Sequence, residues 1–465
     1  MNVVSSAAAP LTFEAEVLSR FFGELTRADL GYAVLRNHEH LPFRLGARDI
    51  DIVVLPEDLP RAIDIVVHLA RDFGCLFANH YEDERMTQLA LFSRRENGVF
   101  DLKIDFFTSS QVFGIKLMSA RDMLRDLRWH NGIPVVSEVV LLLDKWLFHL
   151  VVGKPLHPKY NGLFGRIARE QAPRLREAVA PLLGDADAHA QLTAIAADGA
   201  SRIAVLSAGR RLRLLSRMWK GQGVRGLSLM ARFVIERLRN RLCPHGLLVS
   251  VSGPDGSGKT TVIDLVLAQL RQGYGADSIE YHHFRPTVLP RIAEMAKATG
   301  AVGAVDTDYS RPHRAAPSGL PGSLVRLGYY GMDYMLGYVR RVRPALIDRK
   351  IVVFDRYYYD MICDPGRSRI RLPGWCLRAV GRLLPLPKFA FFIRVEPAVA
   401  HARKQELTRD QIAMLNLRYG DLVRRGWMIE IGNDGPAEHA ATAIVDHIVA
   451  HYDKAARRAL GAAIR

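Results

Sequence analysis

HGLLVSVSGPDGSGKTT (residues 245–261) decides how the second half of this chain is read. Its first part, HGLLVSVSG (245–253), is an apolar, β-branched run ending in glycine, the pattern of a buried strand feeding a loop. GPDGSGKT (253–260) then matches the spacing GxxxxGK[ST] in full, and TVIDLVLAQLRQ (261–272) follows with helical periodicity. Strand, glycine-rich loop and helix in that order form the context in which such a loop cradles phosphate, so nucleotide binding is expected here. Gly253, Gly256 and Gly258 let the backbone amides turn inward, and Ser257 lies among them. Lys259 is placed to neutralise β- and γ-phosphate oxygens, the Thr260 hydroxyl suits Mg²⁺, and Thr261 adds a contact at the helix N-terminus.

Outward from the loop, SIEYHHF (278–284), KIVVFDRYYYD (350–360), KFAFFIRVE (388–396) and WMIEIGND (427–434) read as further strands. Helical stretches separate them over 325–344, 408–426 and 437–460. That alternation predicts a mostly parallel sheet covered on both faces, with ligands at the carboxyl ends of its strands. Asp355 and Arg356 fall at such an end. The Asp can hold the hydration shell of a metal or orient an acceptor, and the Arg can clamp a phosphate with its fork. In isolation the pair reads equally well as an ion-paired surface turn; sharing a sheet edge with the glycine loop favours a functional role. Tyr357, in the run YYY (357–359), reads as part core and part pocket wall. Arg403, with Lys404 and Arg409, either closes over a transferring phosphate or forms a solvated helix face. The stretch YSRPHRAAPSGLPGS (309–323) reads as a loop, in which Arg311, His313 and Arg314 either reach an anionic substrate or serve solubility.

GPDGSGKTT, FDRYYYD and RKQEL ahead of a Tyr-containing helix together resemble the thymidylate kinase branch of the P-loop nucleoside monophosphate kinases. The resemblance covers roughly residues 245–460. It implies that Asp255 contacts the acceptor sugar, that Asp355–Arg356 binds the acceptor phosphate and helps organise the metal, and, loosely, that Arg403 belongs to a basic lid. The sequence departs from an ordinary thymidylate kinase between the loop and Asp355, where about 95 residues intervene. The YSRPHRAAPSG segment there is unlike the usual base-reading segment. It is similar instead to divergent thymidylate-kinase-like proteins of bacterial surface-polysaccharide gene sets.

In the N-terminal half, LGARDIDIVVLPEDL (45–59) sets Asp49 and Asp51 two apart, on one face of a strand, where two carboxylates can grip a divalent ion. VFDLKIDFF (99–107) offers Asp105 from a neighbouring strand, with Asp101 behind it, and GYAVLRN (31–37) supplies a strand and the turn after it. The layout resembles the nucleotidyltransferase fold over about residues 20–130. That resemblance implies paired acids plus a third holding metal for nucleotidyl transfer. The turn that carries Gly-Ser in that family has Arg36–Asn37 here, so either Arg36 meets phosphate in another way or the unit binds without catalysing. Two acids at the end of an edge strand are the plain alternative.

The fold expected is therefore α/β, with three regions. Residues 1–133 form an α+β, nucleotidyltransferase-like domain, 134–240 a helical extension and connecting arm, and 241–465 a three-layer α/β/α P-loop kinase domain. The window PVVSEVVLLLDKWLFHLVV (134–152) is read as one core helix, because Glu138, Asp144 and Lys145 interrupt it too often for a membrane span.

A formal charge of +16 raises the question of nucleic acid, but the basic residues are scattered through helical stretches such as Arg210–Arg217 rather than set in a tail or interleaved with aromatics. Direct nucleic-acid binding is not expected, whereas nucleotide phosphates and an anionic membrane surface both suit the charge. Cys75, Cys243, Cys363 and Cys376 form no CxxC and read as reduced thiols. With no basic n-region at the start of the sequence, a cytoplasmic protein is expected. The leading expectation is an ATP- and Mg²⁺-dependent phosphotransferase acting on a small-molecule phosphate or sugar acceptor. A peripheral membrane contact and a homodimer are left open. The alternatives are an NTPase module that drives a partner protein, and a bifunctional kinase–nucleotidyltransferase.

Overall fold

The computed structural model describes residues 12–95, 98–153, 158–198, 206–286, 289 and 319–463. The chain divides into two compact units, one made of Met1–Leu238 with Val449–Arg465 and the other of Arg239–Ile448.

The first unit is built on β1 (Tyr32–Val34), β2 (Asp49–Val54), β3 (Leu76–Glu82), β4 (Met86–Arg95) and β5 (Gly98–Phe107), with a small ribbon of β6 (Ser109–Val112) and β7 (Ile115–Ser119), then β8 (Leu127–His130) and β9 (Ile133–Val136). The main sheet runs β3-β4-β5-β2-β1-β9-β8. Period-two alternation assigns its faces. In β2 and β5, Ile50, Ile52, Val54, Leu102, Ile104 and Phe106 enter one core, beneath helices Phe13–Arg27 and Leu59–Asp72. Asp49, Asp51, Lys103 and Asp105 therefore take the other face. β2 and β5 pair in parallel with Asp51 opposite Asp105, so the two short motifs meet at one level.

The window 134–152 is not one helix. Ile133–Val136 pairs in parallel with β1 and antiparallel with β8, and the helix starts at Glu138, capped by the Ser137 hydroxyl accepting from Val140 N at 3.3 Å. The local cause is legible afterwards: Pro134 and two β-branched valines favour extended chain, and Ser137 is a helix-starting residue. Helices Glu138–Val152, Asn161–Glu170, Ala172–Leu183, Asp185–Asp198 and the first part of Ala208–Leu242 enclose a second core around Trp146. The Trp146 indole N–H donates to Gln191 at 2.8 Å, which satisfies its one polar atom in full burial.

Residues beyond Val449 also belong to this unit. Ala456 and Leu460 lie in the sheet core, Asp453 accepts from Phe77 N at 2.9 Å, and the Arg457 guanidinium sits 5.5 Å from the Phe77 ring centre.

The second unit holds β10 (Leu247–Ser252), β11 (Ile279–His283), β12 (Ile351–Asp355), β13 (Phe389–Arg394) and β14 (Ile429–Gly432), ordered β11-β12-β10-β13-β14. All four pairings are parallel. β10 and β12 are buried at every residue, which is why they read as unbroken apolar runs. Helices Lys259–Tyr274, Leu320–Gly337 and Arg409–Arg424 accompany this sheet in the manner of P-loop-like α/β/α layering. The last begins with a reciprocal cap between Thr408 and Gln411.

Candidate active site

The chain leaves β10 toward β11 on one side of the sheet and leaves β13 toward β14 on the other. The crevice between β10 and β13 is thus a topological switch point. The loop Gly253–Gly258 occupies it, and its glycines are needed for separate reasons. At Gly253 a Cβ would fall 2.9 Å from the Ile393 carbonyl, and at Gly256 it would strike the Ala400 carbonyl. Gly258, at φ +75°, would place one 2.6 Å from the Asn433 amide nitrogen. Asn433 Nδ2 donates to the Ser257 carbonyl at 2.8 Å, and the Arg403 guanidinium donates to the Asn433 carbonyl at 3.0 Å. Arg403 is thereby tied to the support of the loop. The Ser257 hydroxyl is buried and has no hydrogen-bond partner among the described residues.

Lys259 opens the helix after the loop and is almost fully buried, ion-paired with Asp355 Oδ1. Because β11 and β12 pair with His283 opposite Asp355, His283 Nδ1 reaches the other carboxylate oxygen at 3.0 Å, and the Tyr281 hydroxyl lies 3.5 Å from it. Burial alone would raise the Asp355 pKa, but the His283 hydrogen bond and the Lys259 charge outweigh it and hold the carboxyl at about 2. Burial, then the neighbouring Arg356 charge, pull the Lys259 ammonium below its ordinary value against the attraction of Asp355.

Arg356 has the left-handed backbone of φ +70°, secured by its N–H donating to the Val251 carbonyl at 2.9 Å. Its buried guanidinium bridges Asp255 at 2.6 Å and Asp360 at 3.1 Å. Arg367 takes the second Asp255 oxygen at 2.7 Å. Burial opposes ionisation of Asp255, yet the two guanidiniums keep its pKa below the ordinary value. Asp360 also accepts from Ser252, Tyr357 N and Tyr419, so it anchors Arg356 from beneath. Thr260 and Thr261 are exposed on the first helical turn. Tyr357, read as part core and part pocket wall, is buried. It is 2 % exposed, its hydroxyl donates to the Pro385 carbonyl, and its ring packs on Tyr334 and Phe354. Arg311, His313 and Arg314 lie outside the described residues.

A second cluster belongs to the first unit. Asp49, Asp51 and Asp105 each offer a carboxylate oxygen within 4.8 Å of the others. Lys103 Nζ stands 3.6 Å from both Asp49 and Asp105, and Arg36 pairs with Asp51 Oδ2. Asp51 Oδ1 is buried with no hydrogen-bond partner among the described residues. Burial raises the Asp105 pKa to about 6 against Lys103 and a 2.8 Å bond from Gln88, and it raises Asp51 against Arg36. Asp101 pairs with Arg48 at 3.7 Å, apart from this cluster. Arg36 also walls a cavity of about 470 Å³ with Arg85, Lys145, Phe107, Phe148 and Tyr160.

Sequence reading missed His283, Asp360, Arg367 and Asn433 at the first site, and Lys103, Gln88 and Lys145 at the second. Two of these carried a signal. His283 ends a strand beside Asp355, and Lys103 shares the alternation that places Asp101 and Asp105 on one face.

A parallel sheet with a glycine loop and buried cations at its switch point defines an α/β unit equipped to hold phosphate. Comparison with known proteins points the same way. The chain is 24% identical over 156 residues to a probable thymidylate kinase of Pyrobaculum aerophilum, covering 33% of this chain and 68% of that one. It is 27% identical over 124 residues to a thymidylate kinase of Oenococcus oeni, covering 27% of this chain and 51% of the relative. It thus spans about two thirds of the length of one curated relative and half of the other. The crystal structure of thymidylate kinase from Ehrlichia chaffeensis aligns over 44% of this chain and 100% of its own, at 18% identity and a TM-score of 0.31. No protein-family model matches the chain. Part of the chain is a distant thymidylate-kinase-like region.

Proposed function

We propose that the second unit is an ATP-dependent phosphotransferase of the nucleoside monophosphate kinase type. The observation that carries this reading is the convergence of the Gly253–Gly258 loop, Lys259, Asp355 and Arg356 on one sheet edge. The residues fit a nucleotide phosphate chain: the glycine cradle admits no side chain, and the buried Ser257 hydroxyl has a hydrogen bond left to make. Loop amides and Lys259 would hold the phosphates, with Thr260 and Thr261 at the helix N-terminus and Thr260 and Asp355 toward the metal. Bound ATP with Mg²⁺ supplies the transferable phosphoryl group and a divalent charge on its oxygens.

Arg356 and Asp255, locked together with Arg367, form a platform for the acceptor. Both candidate acids have depressed pKa values, so neither Asp255 nor Asp355 is suited to take a proton near neutral pH. This favours an acceptor whose attacking oxygen is already ionised, as in a phosphate monoester. Thymidylate, the substrate in the relatives' names, is the first such acceptor to test, followed by other nucleoside monophosphates and sugar phosphates. Arg311 and Arg314 remain candidates for acceptor binding. Transfer of labelled γ-phosphate should require acceptor, and Lys259→Ala should lower it by at least about a hundredfold. Near-normal transfer by that variant, or phosphate release indifferent to every acceptor, would remove the kinase reading; the second result would favour an NTPase module.

The triad Asp49, Asp51 and Asp105 supports a second reading, a nucleotidyltransferase-like site in the first unit. The unpartnered Asp51 Oδ1 suits a divalent ion, although Lys103 and Arg36 compete for the same carboxylates. Metal- and triphosphate-dependent release of pyrophosphate, lost in both Asp49→Ala and Asp51→Ala, would support it. No release from a broad set of triphosphates would count against it.

A further inference from the structure

The helix Ala208–Leu242 breaks at Gly223, where φ is 54° and ψ −139°. After the break it presents Val224, Leu227, Val234, Ile235 and Leu238 to solvent, with Val224 83 % and Ile235 63 % exposed. At 100° per residue these side chains fall within an arc of about 100°. Arg225 and Arg232 flank that arc on one side and Arg237 on the other. The opposite face is the one that packs: Phe233 meets Phe113 at 6.1 Å, Met230 lies against Gly114, and Glu236 turns inward to accept from Glu84 N at 2.9 Å. The apolar stripe is therefore on the outside and the acid on the inside, the reverse of an ordinary surface helix.

Charge decides what covers this stripe. Within Val224–Leu238 stand Arg225, Arg232 and Arg237 and a single acid, Glu236, which faces inward. Arg225 and Arg237 have no ion-pair partner among the described residues. A second copy laid along the stripe would set these arginines against arginines, whereas a helical seam needs opposite charges at its shoulders. Nucleic acid would satisfy the cations and leave the apolar side chains in water. An anionic bilayer satisfies both, with the aliphatic side chains at the acyl boundary and the guanidiniums among the headgroups. Among the described residues no helix is long and apolar enough to cross a membrane, so the geometry is that of a helix lying on a surface. We propose that the segment Val224–Leu238 docks the protein on a membrane rich in anionic lipid.

The full chain should co-sediment with vesicles of phosphatidylcholine containing phosphatidylglycerol, weakly with phosphatidylcholine alone, and less as salt rises. The double variants Ile235→Glu/Leu238→Glu and Arg225→Glu/Arg237→Glu should each weaken partitioning by about tenfold or more, with an unchanged thermal melt because these side chains are exposed. Absence of vesicle binding by the folded wild type would overturn the proposal, as would binding undiminished in both variants. A dimer that Ile235→Glu/Leu238→Glu dissociates, without vesicle binding, would assign the stripe to a second copy. Binding to duplex DNA without binding to vesicles would assign the charge to nucleic acid.

Discussion

Arg356 and Asp105 show how much a single buried group depends on its neighbours. Arg356 shares Asp255 with Arg367 but is the ion-pair partner of the buried Asp360, so Arg356→Ala would leave the Asp360 carboxylate without its counter-charge. Its expected cost is about 3 kcal/mol in urea unfolding of the second unit, with Arg356→Lys recovering only part because a lysine cannot span both acids. Asp105 has the opposite problem. Its folded pKa of about 6 lies above the ordinary 3.8, so between those values the folded state binds more protons than the unfolded state. Stability of the first unit therefore falls as pH rises through this window, and the full penalty is present above about pH 6. Asp105→Asn should raise the unit's stability by about 1–3 kcal/mol near pH 8 in chelator, and the gain should vanish near pH 4. A variant no more stable than wild type near pH 8 would show that Lys103 and Gln88 already compensate the charge.

At the scale of elements, the glycine loop is stiff because it is wedged between β13 and the helix Pro397–Arg403. Gly256→Ala has to displace the Ala400 carbonyl and adopt φ +84° with a side chain. We expect loss of nucleotide binding by calorimetry with little change in secondary structure. Thr408→Ala should cost about 1 kcal/mol through its lost helix cap, without altering that binding. Elements and sites differed in how far sequence alone disclosed them. The loop, the buried strands and Asp355–Arg356 were legible because each is written within a dozen consecutive residues. The partners of those residues were not. Asp255 meets Arg367 across 112 positions and Ser257 meets Asn433 across 176, and no local pattern encodes such pairings. The run Tyr357–Tyr359, read as part core and part pocket wall, is buried at all three positions, and nothing local in three adjacent tyrosines announces that. In the 134–152 window overall hydrophobicity masked the short extended piece that Pro134 and Ser137 delimit.

For the molecule as a whole, periodicity in residues 437–460 announced a helix with a buried face but not what that face is buried against. Ala456 and Leu460 turn out to complete the core beneath the first unit's sheet. Leu460→Asp should therefore lower the unfolding free energy of the first unit by at least about 3 kcal/mol while leaving the nucleotide binding proposed for the second unit unchanged. Equal loss in both units would show that they unfold together. The same arrangement sets a timetable for biosynthesis. A ribosome emits the sheet of the first unit early, yet must add every residue of the second unit before Leu460 emerges to close that core. The unit begun first is the one finished last: helices Phe13–Arg27 and Leu59–Asp72 can cover most of its core early, but the part that Ala456 and Leu460 fill waits for the end of synthesis.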